Sequence, residues 1–264
     1  IYSVPLMLNT IAWWINNVSD RYVIITMCGI AVNGIYSVGY KIPSILNMFQ
    51  TIFNQAWTLS SVKSYDKNDT DGFFSKTYNT YNTLMTIICS GIIISTRFIA
   101  SFMYEKEFYA AWRYVPFLTI AIIFGALSGH IGGIFSAVKD SKVFSYSTVA
   151  GAISNLVLNI ILIYFIGAIG AAIATFISFY IVWLIRIIIV KKYIKLNLNL
   201  VRDNIAYFLL LLQTFIIIKL DESLFMYSLD ILCGLIIIVL FRNNVSSLCK
   251  MIFNTLKHKK SMEG

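Results

Sequence analysis

Three charged residues lie inside apolar sequence near the start of the chain. Asp20, Arg21 and Lys41 all fall within the stretch 13–43, whose other residues are mainly apolar. An ionised side chain in hydrocarbon costs about 3 kcal/mol or more, so such residues usually line a protein interior or a water-filled cavity. Two cations against one carboxylate leave a surplus positive charge, which an anion such as phosphate can neutralise. The pattern predicts anion binding by Arg21 and Lys41, with a structural ion network between two helices as the alternative.

Polar and aromatic residues near this stretch extend the candidate site. Asn16 and Asn17 add hydrogen-bonding groups beside Asp20, and the rings of Trp13 and Trp14 are suited to stacking on sugars. His130 stands in a later apolar stretch, where a lone histidine is either a packing residue or a proton relay. We therefore take Asp20, Asn16, Asn17 and Trp14 as supporting residues and His130 as a candidate proton relay.

Composition defines the class of protein that must position these residues. The 264 residues are 58% hydrophobic and 12% charged, with a mean hydropathy of +0.77, whereas soluble domains are about 45–50% apolar and about 25% charged. Several apolar stretches approach the roughly 20 residues that a helix needs to cross a bilayer. The sequence therefore predicts an all-α integral membrane protein, a polytopic helix bundle.

Several functional classes are disfavoured by the same composition. The four cysteines are scattered without C-x-x-C spacing, which argues against a disulfide framework or a metal site. The net charge of +9 is typical of loops that follow the positive-inside rule, so nucleic acid is not the expected partner. No G-x-x-x-x-G-K-[ST] phosphate loop is present. We expect no catalytic residues, metal or cofactor.

The apolar stretches predict about eight transmembrane helices. They fall at 3–29, 34–61, 79–103, 115–137, 143–165, 168–190, 204–219 and 224–241. The first two form a hairpin that turns near 30–33, which places Arg21 and Lys41 about 15 Å from the turn and near the middle of a core of roughly 30 Å. Pro43 is expected to kink the second helix, and both cations are expected to point into the bundle.

Loop charges predict the orientation. Basic residues, Arg186 among them, concentrate in the segment 186–202, in the turn 139–142 and after residue 241. These segments are expected to be cytoplasmic together with the loop 63–76, so both chain ends are cytoplasmic. The segments 104–114, 166–167 and 220–223 are then outside. Arg97, near the outer end of its helix, is expected to snorkel to the interface.

Three sequence blocks resemble a known family. They are P-L-M-L-N-T-I-A-W-W-I-N-N-V-S-D-R-Y-V-I followed by N-G-I-Y-S-V-G-Y-K-I-P, then E-F-Y-A-A-W-R-Y-V-P-F-L, then N-L-V-L-N-I-I-L-I-Y-F-I-G-A-I-G-A-A-I-A-T. They are similar to the Wzx-type O-antigen and capsule flippases of the multidrug/oligosaccharidyl-lipid/polysaccharide exporter superfamily. Tyr164 departs from the pattern, because the family usually has Pro there. In the third block, Gly167 and Gly170 predict a tight turn, followed by a small-residue helix face.

The resemblance implies an architecture and a function. Residues 1–190 would be the second six-helix lobe of a fourteen-helix MATE-like transporter, and 191–264 two further helices with a basic tail. Because Ile1 stands where a start Met would be expected, we interpret the chain as a fragment that lacks its N-terminal lobe. The expected substrate is an undecaprenyl-pyrophosphate-linked oligosaccharide, moved across the bacterial cytoplasmic membrane by alternating access beside the polysaccharide polymerase machinery. The resemblance carries the anion-binding role onto Arg21 and Lys41.

Two other functions remain open. A multidrug exporter of the MATE branch carries organic cations, for which an acidic site would be more suitable than a basic one. A membrane-embedded polysaccharide polymerase or acyltransferase needs catalytic polar residues near a membrane face, often in a sizeable outer loop. The predicted outer loops are short, and the chain has two histidines.

Overall fold

The computed structural model describes residues 3–250, apart from the side chains of 3–6, 8 and 17. Within these residues the chain is helical and contains no strand. The α-helices are α1 (Ser3–Cys28), α2 (Ile30–Gly39), α3 (Lys41–Lys63), α4 (Phe73–Met103), α5 (Val115–Ala137), α6 (Ser141–Ile166), α7 (Ile169–Val190), α8 (Leu200–Lys219) and α9 (Leu224–Leu240). A 3₁₀ helix, Lys106–Arg113, joins α4 to α5, and a further helix spans Arg242–Lys250. The all-helical fold is as predicted.

Five of the described helices, α4 to α8, are long and apolar enough to cross a membrane. A sixth span results if α9 and Arg242–Lys250, which are bent by 71° at their junction, are counted together. Helices α1 and α3 have the necessary length but are too polar for the same criterion. The number of eight membrane spans therefore stays a prediction.

The first predicted hairpin forms, but its second arm is interrupted. Gly29 has a φ of 92°, a conformation that favours glycine, and the chain reverses there directly into α2. The arm then divides at Tyr40 into α2 and α3. Pro43 has no N–H to donate to the carbonyl of Gly39, which accounts for a helix boundary at this point.

Helix α5 is the central element of the bundle. It is the most buried of the candidate spans and packs against α3, α4 and α7. Helices α6 and α7 form a second hairpin that packs against α1. The predicted tight turn joins them: Gly167 has a φ of 68°, and a Cβ on Gly170 would lie 2.4 Å from the backbone carbon of Leu162. Glycine is therefore required at both positions.

Three segments predicted to share the cytoplasmic side contact one another. The amide of Lys195 donates to the carbonyl of Lys67 at 3.1 Å, and the amide of Asn197 donates to Ser75 Oγ at 2.8 Å. The hydroxyl of Tyr193 donates to Asp140 Oδ2 at 2.6 Å, and this bond holds the pKa of Asp140 below its usual value. The loop 63–76, the turn 138–141 and the segment 191–199 thus lie at one end of the bundle.

Helices α8 and α9 pack as a pair against α4, and Arg97 ties α4 to α8. Arg97 is 8% exposed. Its guanidinium donates to the carbonyls of Ile217 and, at 2.8 Å, Leu220, and it lies 4.4 Å from the ring centre of Trp112. The expectation that Arg97 snorkels was wrong, because the last carbonyls of α8 accept its hydrogen bonds within the protein.

Candidate functional site

A cavity of about 460 Å³ with both polar and apolar lining lies between α1, α3, α5, α6 and α7. Its wall contains hydroxyl, amide and guanidinium groups, together with aromatic rings and glycines. The polar and aromatic lining residues are Trp13, Tyr40, Ser44, Asn47, Gln50, Asn54, Thr58, Ser136, Phe144, Thr175, Phe179 and Arg186. The lining contains one cation and no carboxylate among the residues that the structure describes.

One face of α3 supplies most of the uncharged polar groups. Ser44, Asn47, Gln50, Asn54 and Thr58 follow one another at intervals of three or four residues, so they lie along one side of the helix. We call this set the α3 polar stripe. This stripe was not predicted, although polar residues at intervals of three or four positions are visible in the sequence.

Glycines on α5 make room for the opposite wall. A Cβ on Gly129 would lie 2.5 Å from Asn54 Nδ2, and a Cβ on Gly132 would lie 2.3 Å from a ring carbon of Phe144 and 3.0 Å from Arg186 Nη1. The distances of 2.5 and 2.3 Å are too short for a real contact, and that of 3.0 Å is unusually short. The glycines therefore allow the side chains of α3, α6 and α7 to approach the α5 backbone.

Arg186 is the single cation in the described lining and is completely buried. Its Nε donates to Ser147 Oγ at 2.9 Å, and its Nη1 donates to the carbonyl of Ser128 at 2.7 Å. Its Nη2 donates to Thr148 Oγ1 at 2.8 Å and to the carbonyl of Phe144 at 3.2 Å. Four of the five guanidinium N–H groups are thereby used, and one remains on Nη1.

The charge of Arg186 is not balanced by an ion pair. Within the described part of the chain the one ion pair is Arg202–Asp203, at 2.8 Å. The partners of Arg186 are neutral oxygens and the ring of Phe144, 4.4 Å from its Cζ. These groups hold the guanidinium in place but leave its charge uncompensated. Arg186 was predicted to be a cytoplasmic loop cation, which was wrong because α5 and α6 pack around this part of α7 and bury the side chain.

Asp20 is buried at the junction of α1 and α2. Its Oδ2 accepts hydrogen bonds from the hydroxyls of Tyr36 and Tyr40, each at 2.8 Å, and its Oδ1 accepts from the backbone N–H of Arg21. The bond from Tyr40 places this residue, which directly precedes Lys41, at the same depth in the bundle as Asp20. The equal distances of Arg21 and Lys41 from the turn near 30–33 predict this. Two tyrosines, rather than an ion pair, are the close partners of this carboxylate.

The structure places Arg21 and Lys41 differently from the prediction. Both side chains are exposed on the surface of the described structure, instead of pointing into the bundle. They flank a cavity residue, however, because Arg21 Cζ lies 5.7 Å from the ring centre of Tyr40, which lines the cavity. No described contact joins either cation to Arg186.

The supporting residues are divided between two faces of α1. Trp13 lines the cavity, with its ring 5.1 Å from that of Phe179, whereas Trp14 is 60% exposed and lies on a separate apolar groove. Asn16 is completely buried, and neither of its amide atoms has a hydrogen-bond partner among the described residues. The side chain of Asn17 lies outside the described part.

His130 lies behind the cavity wall in an aromatic cluster. Its ring stacks 4.0 Å from that of Trp57, and Tyr78 meets it edge-on at 5.5 Å. Both ring nitrogens are buried and have no hydrogen-bond partner in the described structure. This environment is typical of a packing residue, and the role of His130 as a proton relay stays a prediction.

Comparison with solved structures identifies the class of fold. The chain has the fold of transporters of the multidrug/oligosaccharidyl-lipid/polysaccharide exporter (MOP) superfamily. With a TM-score of 0.65 and 18% identity, 95% of the chain superposes on 54% of the lipid II flippase MurJ in an inward closed conformation. A MOP transporter from Pyrococcus furiosus gives a TM-score of 0.54 at 17% identity, and an outward-facing multidrug resistance MATE transporter gives 0.53 at 19%; each superposition covers 95% of this chain and 53% of the other.

At the level of individual proteins, the chain is similar to a probable low-salt glycan biosynthesis flippase, Agl15, from Haloferax volcanii. The two are 28% identical over 154 residues, which cover 55% of this chain and 32% of Agl15. No protein-family model matches the chain. The chain therefore spans about a third of this curated relative and about half of each solved transporter. These proteins are named as flippases and transporters, and none is named as an enzyme.

Proposed function

We propose that the chain forms one lobe of a flippase for lipid-linked oligosaccharides, acting in surface polysaccharide synthesis. The observation that carries the proposal is Arg186, a buried cation without a carboxylate partner, on the wall of a cavity whose other polar lining groups are uncharged amides and hydroxyls. The shared fold and the similarity to Agl15 support the same reading.

The chemistry of the cavity is suited to a phosphorylated sugar. The free N–H of Arg186 is a charged donor for a phosphate oxygen. The α3 polar stripe offers amides and hydroxyls that can exchange hydrogen bonds with sugar hydroxyls, and Trp13 adds an aromatic surface. An undecaprenyl-pyrophosphate-linked oligosaccharide combines both features in one molecule.

We place Arg21 and Lys41 at the mouth of the cavity in this proposal. They are exposed on either side of Tyr40, on the part of the surface formed by α1 and α3. In the complete transporter, a second lobe would close over this face, so that the two cations and Arg186 act on one anion. Alternating access between the lobes would then move the substrate from the cytoplasmic to the outer leaflet of the bacterial cytoplasmic membrane, where polymerase machinery uses it.

A multidrug exporter of the MATE branch is the second candidate, because a MATE transporter shares the fold. Organic cations call for a carboxylate in the binding cavity, and the described lining contains none. The charge of the cavity thus favours an anionic substrate. A membrane-embedded polymerase or acyltransferase is further disfavoured, because the similar proteins are transporters.

The test is genetic complementation with the full-length protein in a flippase-deficient strain. Arg21→Ala, Lys41→Ala and Arg186→Gln should each abolish surface polysaccharide, because each removes positive charge from the cavity or its mouth, while Lys41→Arg should retain it. Lys142→Ala, at an exposed site outside the cavity, is the matched control. Membrane abundance and size-exclusion profiles identify misfolded variants. Full complementation by all three charge-removing variants would contradict the proposal.

A further inference from the structure

A second buried ionisable group lies far along the chain from the cavity residues, at the interface between α9, α8 and α4. Asp230 stands in the second turn of α9 and has no exposed surface. Both of its carboxylate oxygens are buried and have no hydrogen-bond partner among the described residues. Neither ion pairing nor hydrogen bonding therefore accounts for a carboxylate at this position.

Gln213 on α8 faces the same place. Its Nε2 donates to the backbone carbonyl of Asp230 at 3.0 Å, so its donor is directed to the backbone and not to the carboxylate. Its Oε1 is buried and also unpartnered. One turn further along α9, Gly234 leaves room for the side chains of Gln213 and Ser90. A Cβ at position 234 would lie 3.2 Å from Ser90 Oγ. The interface thus contains a buried, unpartnered acceptor on the side chain that bonds the backbone of Asp230.

The charged and titratable neighbours do not neutralise Asp230. The titratable or charged groups near this level are Tyr227 and Cys233 on α9 and Cys89 and Arg97 on α4, and α8 has none between Tyr207 and Lys219. The hydroxyl of Tyr227 donates to Glu222 Oε1 at 2.7 Å and not to Asp230. Arg97 gives hydrogen bonds to carbonyls at the end of α8 and stacks on Trp112. A carboxylate here would therefore be an isolated buried charge.

An isolated buried charge is removed most simply by binding a proton. A carboxylate in an apolar site without donors is strongly disfavoured, and protonation to the neutral acid avoids the cost of burying its charge. The reaction is the addition of one proton to one carboxylate oxygen, and the new O–H can serve an acceptor such as Gln213 Oε1. Hard metal cations need about six oxygen ligands, more than this interface presents.

We propose that Asp230 is a proton-binding site linked to the transport cycle. The inference rests on the proposed transport function, and it extends that function by assigning the coupling ion and its binding residue. Helix α4 contacts α9 on one side and α5 on the other, so a change of charge at Asp230 acts on helices that reach the cavity wall. Intramembrane carboxylates serve as proton carriers for this reason.

Infrared difference spectroscopy tests the proton site without any substrate. The full-length protein in lipid nanodiscs is compared with Asp230→Asn and with Asp221→Asn, which changes an exposed carboxylate before α9. The wild type should show the carbonyl stretch of a protonated carboxylic acid at neutral pH, and this band should weaken as the pH rises. Asp230→Asn should abolish the band and Asp221→Asn should retain it. A band that Asp230→Asn leaves unchanged would refute the assignment.

Proteoliposomes test the link to transport, with undecaprenyl-pyrophosphate-linked oligosaccharide as the probe. A pH gradient should stimulate flipping by the wild type, and Asp230→Asn should lose that stimulation. Asp230→Glu should respond to the gradient again. Equal stimulation of Asp230→Asn, or stimulation by a sodium gradient instead, would overturn the proposal. If the wild type flips no probe at all, the proposed function fails, while the infrared result still decides the proton site.

Discussion

Two buried arginines illustrate how this molecule places positive charge in an apolar environment. Arg97 and Arg186 both donate to backbone carbonyls rather than to carboxylates. The planar guanidinium, with five donors, can satisfy several acceptors at once, which a lysine cannot do with the same geometry. They differ in position, because Arg186 lies on the cavity wall and Arg97 is enclosed by α8 and Trp112.

Replacement of Arg97 is expected to be a stability mutation. Arg97→Ala leaves the carbonyls of Ile217 and Leu220 without their donor and removes the stacking on Trp112. Hydrogen bonds from a charged group and a cation–π contact together predict a loss of about 2 kcal/mol or more. Thermal unfolding, followed by fluorescence-detected size exclusion, should show a lower midpoint.

The matched control for this change is Arg113→Ala. Arg113 is exposed and lies 5.9 Å from the same tryptophan ring, so its removal should change stability by no more than about 0.5 kcal/mol. If the two variants melt at the same temperature, the role assigned to Arg97 in holding α8 against α4 is wrong.

At the scale of elements, α5 shapes the cavity through its glycines. Gly132 lies against Phe144 and Arg186, and Gly133 lies against Trp57, where a Cβ would come within 2.6 Å of the indole nitrogen. A helix whose small residues face three neighbours can pack closely against each of them. The same residues would be neutral or unfavourable in an isolated helix.

Gly132→Ala should therefore lower both stability and transport. The added methyl would lie 2.3 Å from Phe144 and would displace the ring that stacks on Arg186. Such overpacking costs about 1–3 kcal/mol, so we expect a lower unfolding midpoint and reduced complementation in the flippase-deficient strain.

Gly91→Ala provides the comparison within α4. A Cβ on Gly91 would meet nothing within 4 Å, and alanine favours a helix over glycine by about 0.5–1 kcal/mol. This variant should be as stable as the wild type or slightly more stable. If both substitutions lower the unfolding midpoint equally, steric crowding beside Gly132 is not the cause of the destabilisation.

At the scale of the whole molecule, the structure groups the loops into two ends. The contacts of Lys67 with Lys195 and of Asp140 with Tyr193 bring three loops to one end. At the other end, Arg97 reaches Leu220, and the hydroxyl of Tyr104 donates to the carbonyl of Val38 at 3.0 Å. The contacts thus join the segments that loop charges had assigned to the same side.

Single-cysteine labelling in intact cells tests this arrangement. In a background without the native cysteines, Lys67→Cys, Lys139→Cys and Lys192→Cys should all be protected from a membrane-impermeant maleimide, whereas Glu105→Cys and Asp221→Cys should react. Permeabilised cells provide the control for intrinsic reactivity. Labelling of Lys192→Cys alone among the first three would contradict the structure, and labelling of all three would reverse the orientation.

Local sequence was sufficient for the features that depend on neighbours along the chain. The helical class followed from apolar length, the α6–α7 turn from Gly167 and Gly170, and the first hairpin from the break in apolarity near residue 30. The charged stretch around Asp20 was recognised because a carboxylate in apolar sequence is costly whatever the fold. These properties are set by residues a few positions apart.

What only the tertiary structure decided is which side chains share one space. Arg186 looked like a loop cation until α5 and α6 were seen to bury it with oxygens from Ser128 and Ser147. Arg21 and Lys41 were predicted to be internal, but the packing of α1 and α3 leaves both side chains exposed. Burial and electrostatic environment depend on helices that are distant in sequence, and a one-dimensional pattern does not contain those contacts. The sequence therefore determined that charge lies within apolar stretches, and packing determined which charge faces the cavity.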